Sequence, residues 1–63
     1  MNKYQEKYIT DRAFECKAHF EKYPSSVTTV YTEKEELEEN KAIFLEVLGA
    51  DLIKRITFIP NQH

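Results

Sequence analysis

Thr10-Asp11-Arg12-Ala13-Phe14-Glu15-Cys16-Lys17-Ala18-His19-Phe20-Glu21-Lys22-Tyr23 is the stretch on which the fold turns. Taken with a period of two, Phe14, Cys16, Ala18 and Phe20 point one way and Glu15, Lys17, His19 and Glu21 the other, the alternation of a half-buried strand. Taken with helical spacing, Ile9, Ala13, Cys16, Phe20 and Tyr23 form one stripe, with Thr10 or Asp11 available to cap its start. The helix leaves Phe14 and Ala18 on the wrong side, whereas the strand strands no aromatic ring between 14 and 20. The alternation therefore favours a strand, with a helix as the alternative. Tyr23-Pro24-Ser25-Ser26 then becomes a hairpin connection, because Pro and Ser favour turns.

Beyond it, Val27-Thr28-Thr29-Val30-Tyr31-Thr32 is β-branched and aromatic throughout and predicts a strand. A helix is expected from about Glu33 to Leu48. Thr32 and Glu35 have the spacing of a capping box. Glu33 and Glu35 lie where the helix dipole favours negative charge. Leu37, Phe44, Val47 and Leu48 share one face, with Ile43 and Leu45 at its margins. Gly49, the chain's one glycine, stands where a left-handed C-terminal cap is wanted. Leu52 to Ile59 predicts another strand, stopped by Pro60; Leu52, Lys54, Ile56 and Phe58 share one face, and Ile53, Arg55, Thr57 and Ile59 the other.

The expected fold class is α+β: a small single domain over residues 1–63 in the order β-β-α-β, a three-stranded sheet with one helix on one face. In it the last strand pairs with the first, parallel to the second. The alternative order is α-β-α-β. Residues 1–9, with Tyr4, Tyr8 and Ile9 among charges, are expected to form a flexible or short helical arm.

Length and composition exclude much. Sixty-three residues leave no room for a second domain, and a chain this short buries only about 60% of its unfolded surface. One cysteine precludes an intramolecular disulfide. No apolar run approaches the roughly 18 residues of a membrane span, and no basic-then-apolar leader is present, so a cytoplasmic location is expected. Self-association, or folding against a partner, is a common remedy for so small a core.

Chemistry-bearing motifs are few. Cys16 and His19 have the spacing of half a zinc site, but the sequence offers no second cysteine and only His63 besides, so no metal is expected. As a strand the segment puts the two side chains on opposite faces, which also separates them as a nucleophile and base. One glycine cannot build a phosphate loop, and Ser25 and Ser26 lie outside any nucleophile elbow. No catalytic residues, cofactor or enzyme activity are expected.

Charge is the unusual feature. Nine Lys/Arg against eleven Asp/Glu give a net charge of −2, but Glu33, Glu35, Glu36, Glu38 and Glu39 crowd one helix start. Glu35 and Glu39 are like charges four apart, Glu36 and Glu39 three apart, and each such pair costs an isolated helix about 0.2–0.5 kcal/mol. Capping accounts for the first-turn acids and not for Glu38 and Glu39. A solvated face is one reading of the cluster. A negative patch that steers onto a basic partner surface is the other.

The second candidate is the sheet face opposite the helix, presenting Tyr31, Ile53, Arg55 and Ile59, an apolar and polar mixture typical of contact surfaces. In size and make-up the chain resembles the small accessory proteins that phages and mobile elements encode. That resemblance implies binding to, and inhibition of, a host enzyme or defence protein, and no individual residue carries over from it. The expected function is thus a non-catalytic protein-binding module, an inhibitor or regulator of a larger protein, with a nucleic-acid-handling or defence protein as the kind of partner expected. A homodimeric structural domain, and a single-stranded nucleic-acid binder that stacks bases on Tyr4, Tyr8 and Tyr31 with Lys54 and Arg55, are the alternatives.

Overall fold

The computed structural model describes residues 3–61. Its order is α1 (Lys3–Lys22), β1 (Thr28–Thr32), a short 3-10 turn (Lys34–Glu36), α2 (Leu37–Ile53) and β2 (Ile56–Pro60). The sheet has two strands, β1 and β2, in parallel. The chain is therefore α-β-α-β, and the expected β-β-α-β order with three strands and one helix is corrected.

The segment 10–23 is the source of that correction, since it is helical to Lys22. Its period-two alternation spans only 14–21, whereas the helical stripe runs from Ile9 to Phe20. Ala13 and Phe20 are buried, and Ile9 and Cys16 pack against them. No β-branched residue occurs between 11 and 23; Ala, Glu, Lys and Arg dominate, and these lose little freedom in a helix. Lys7 bridges Asp11 at 3.1 Å, and Arg12 donates to the Tyr8 hydroxyl at 3.1 Å, both one turn apart. The cost foreseen for a helix is real, for Phe14 is left 54% exposed. Residues 3–9 continue α1, so over them the expected arm is helix; Met1 and Asn2 lie outside the described residues.

Pro24 ends α1. A residue before proline is pushed out of the helical region, and Tyr23 is that residue. Ser26 closes the turn, its amide and its hydroxyl both donating to the Tyr23 carbonyl at 3.0 and 2.8 Å. The turn joins a helix to a strand, so the expected hairpin is corrected too.

Parallel strands need a crossover, and α2 supplies it. Thr28 pairs with Ile56, Val30 with Phe58 and Thr32 with Pro60. The bonds at the two ends of the ladder, Thr28 N–H to Arg55 O and Asn61 N–H to Thr32 O, set its phase. By alternation, the backbone groups of Ile56, Phe58 and Pro60 point away from β1. Proline has no N–H to donate there, so Pro60 is tolerated as the last residue of β2, and the strand ends with it. Leu52 and Ile53, expected to open this strand, belong to α2, and the strand starts at Ile56.

The inward residues Val30 and Ile56 join Ala13, Phe20, Phe44 and Leu48 in one core. Phe44 has no exposure and meets Phe58 edge to face at 5.3 Å. The apolar face expected on 33–48 holds in Phe44 and Leu48, with Leu37, Ile43 and Val47 half-buried. Its capping box does not form. The Thr32 side chain turns inward as the last residue of β1, and no side chain caps either the 3-10 turn or α2.

Gly49 takes φ 90° and ψ 168°, and the helical run resumes beyond it to Ile53. It ends the first of two helical stretches that α2 joins across a kink, so the glycine stop expected after Leu48 is present, with an extended ψ in place of a left-handed one. Only glycine occupies this backbone region at low cost. Space is not the constraint, as nothing lies within 4 Å of where a Cβ would stand. Gly49→Ala is therefore expected to lower unfolding stability by about 1–3 kcal/mol through backbone strain alone, read from urea denaturation. An unchanged midpoint would contradict that.

Candidate interaction face

The sheet has helices on one side only. Thr29 and Tyr31 on β1 alternate with the inward residues, as do Thr57 and Ile59 on β2, and all four face solvent. Tyr31 lies beside Ile59 in register and Thr29 beside Thr57. Tyr31 is 67% exposed, Val27 76% and Ile59 37%. Two of the four residues expected on this face are thus brought together, Tyr31 and Ile59.

The other two are not. Ile53 is half-buried in α2 and packs against the core. Arg55 sits in the link between α2 and β2 and turns onto the other end of the chain. Its Nε donates to Ser26 O at 2.8 Å, and its Nη2 to Tyr23 O at 2.7 Å and Ser26 Oγ at 3.1 Å. Its guanidinium carbon lies 4.2 Å from the Phe20 ring centroid. Arginine's planar fork suits two carbonyls at once, and a partly buried guanidinium tied in this way holds the structure together. Of the residues named for the nucleic-acid alternative, Arg55 is thus engaged by Tyr23 and Ser26 and not set beside Tyr31.

At the carboxyl ends of the strands the outward face meets the acidic start of α2. A recess of about 300 Å³ is lined there by Tyr31, Thr32, Glu33, Glu36, Asn40 and Asn61, and by Gln5, Tyr8 and Ile9 of α1. Two of the five clustered acids, Glu33 and Glu36, therefore border the recess that Tyr31 also lines. Asn61 Nδ2 donates to Glu33 Oε1 at 3.2 Å. Glu35, Glu38 and Glu39 are exposed beyond it.

Asn40 was not foreseen as a functional or core residue. It is 1% exposed, donates through Nδ2 to Thr32 Oγ1, and its Oδ1 has no hydrogen-bond partner among the described residues. Leaving a buried polar atom unpaired costs roughly 1–3 kcal/mol. The sequence carries one signal of it: Asn40 falls on the helical face of Leu37, Phe44 and Leu48, where an apolar residue is the norm.

Cys16 and His19 share a helix instead of opposing strand faces, so the parity that separated them does not apply. The His19 ring packs toward Tyr23, with centroids 4.9 Å apart, and is exposed. Among the described residues no cluster of three metal-ligating side chains occurs; His63 lies outside them. No described helix is long and apolar enough to cross a membrane. Comparison with protein-family models, with curated proteins and with solved structures gives no match.

Burial pushes the Cys16 thiol above its ordinary value, with Arg12 opposing the shift and Glu15 adding to it. The folded state thus favours the neutral thiol. Its contribution to stability is full below the ordinary thiol range and is lost as pH rises through the raised value. Alkylation at mildly alkaline pH is expected to be slow in the folded chain and to speed up on adding urea. Equal rates in both would show that the thiol is not sheltered.

Removing the Arg55 fork is expected to loosen α1 from the sheet. Arg55→Ala should cost about 2 kcal/mol, the scale of a hydrogen bond to a charged group. Hydrogen exchange should quicken in residues 20–28 more than in the middle of α2. A uniform rise along the chain would instead mark a general loss of stability.

Proposed function

We propose that this chain is a non-catalytic protein-binding module, an inhibitor or regulator of a larger protein. It engages its partner through the outward sheet face and the acidic start of α2 as one surface. The observation that carries this reading is the meeting of the two at the carboxyl ends of the strands, where Tyr31 lines one recess together with Glu33 and Glu36. An exposed aromatic and aliphatic patch beside a concentrated negative charge suits a partner with a basic rim around an apolar contact. The resemblance in size and make-up to phage and mobile-element accessory proteins agrees with this reading, and a protein that handles nucleic acid or serves in defence is the kind of partner it suggests.

Capture from a cell lysate, with and without nuclease, tests the proposal when wild type is compared with Glu35→Lys/Glu38→Lys and with Tyr31→Ala. All three positions are exposed, so the far-UV circular dichroism should not change. One stoichiometric protein that survives nuclease and is lost with either variant is the expected result. Capture that vanishes with nuclease would shift the assignment to nucleic-acid binding.

A second reading, self-association, is favoured by a separate observation. The edge of β2 that faces away from β1 borders an apolar groove of about 470 Å³, lined by Ala42, Leu45, Ile53, Ile56 and Phe58, with Glu38 and Lys41 at its rim. The outward backbone groups of Ile56 and Phe58 are a donor and an acceptor each, so a second β2 running antiparallel would satisfy both pairs. Sedimentation should then give the mass of two chains, and Leu45→Lys should reduce it to one. A single-chain mass at high micromolar concentration would discard this reading.

A further inference from the structure

We infer that the recess at the start of α2 is a seat for an arginine side chain of a protein partner. The inference rests on the protein-binding reading above and names the chemistry of the group that this part of the surface takes. Among the residues that line the recess there are two carboxylates, Glu33 and Glu36, and no lysine or arginine. The remaining acids of the cluster extend the same negative potential outward. A helix start alone attracts anions through its free amides, but five glutamates at this one reverse the sign of what approaches.

The second observation is Asn40. It contributes to the recess while almost wholly buried, its amide nitrogen is committed to Thr32, and its Oδ1 lacks a donor. A group that brings N–H donors and no acceptor is what this arrangement lacks. Arginine is the side chain with five donors and no acceptor. Lysine shares the charge but not the shape. The guanidinium is flat, forks onto a carboxylate with two parallel bonds, and lies against aromatic rings. Tyr31, exposed, supplies a ring to the recess; the Tyr8 ring beside it already carries the chain's own Arg12, whose guanidinium carbon lies 5.9 Å from its centroid. A volume of about 300 Å³ admits one long side chain and excludes a folded segment.

The test is a titration of the full-length ¹⁵N-labelled chain with three short capped peptides that differ only in a central Arg, Lys or Glu. The arginine peptide is expected to give saturable shifts at the Asn40 side-chain amide and at the backbone of Tyr31, Glu33 and Glu36. The lysine peptide should bind more weakly, and the glutamate peptide should leave these signals in place. Glu36→Gln and Tyr31→Ala should each weaken the arginine peptide roughly fivefold or more, the scale of one charge-assisted or ring contact. The folded state of each variant is checked by its spectrum. The absence of shifts at Asn40, equal shifts with Arg and Lys, or preference for the glutamate peptide would overturn the arginine seat. The lysate capture gives a separate answer. A partner still lost with Glu35→Lys/Glu38→Lys, with no arginine binding, would remove this inference and leave the protein-binding reading standing.

Discussion

Two parallel strands cannot sustain themselves, and that constraint organises the rest of the molecule. A parallel pair needs a crossover, and a sheet this narrow needs cover on one face before it is stable in water. Here α2 meets both needs. It links Thr32 to Ile56 and lays Phe44 and Leu48 over the inward residues Val30, Ile56 and Phe58. A single helix leaves the core shallow, so α1 adds Ala13 and Phe20. The core is thus shared among four elements, none of which buries its apolar side alone.

Arg55 completes this economy of parts. The link between α2 and β2 lies beside the link between α1 and β1, and one guanidinium ties them through the Tyr23 and Ser26 carbonyls. The Tyr23 carbonyl also closes the Ser26 turn, so the fork adds a further donor there and reaches the Ser26 carbonyl in the same irregular stretch. The other end of the sheet is arranged differently. There Thr32 and Asn40 meet below a recess, and the acidic start of α2 rims it. One end of the strands is locked by a cation, and the opposite end is negative and open.

The strands and α2 were legible because their signals are local: β-branched residues from 27 to 32, apolar spacing from 37 to 48, and a single glycine near the helix end. The inward and outward faces of 56–59 were also legible from alternation. Segment 10–23 misled because a four-step alternation and a longer helical stripe coexist in it, and the shorter pattern carried more apparent weight. The absence of β-branched residues and the wealth of Ala, Glu and Lys point to the helix. Once that segment is helical, Arg55 and Ile53 leave the open face, and Tyr31 and Ile59 remain. The acidic cluster was visible in full, but its junction with Tyr31 depends on where a parallel register sets the strand ends. Asn40 was hidden because its position reads as part of an apolar face.

The parallel ladder carries a consequence for how the chain acquires its shape. Among the described residues β1 has no antiparallel neighbour in sequence to zip against, and its strand partner starts at Ile56, after the whole of α2. Helical turns form locally and early, but strand pairing waits until the most distant segment has been brought back, a closure over more than twenty residues. During synthesis on a ribosome, everything up to Ile53 can emerge without any sheet. Until β2 follows, the apolar inward side of β1 has only helices to rest on.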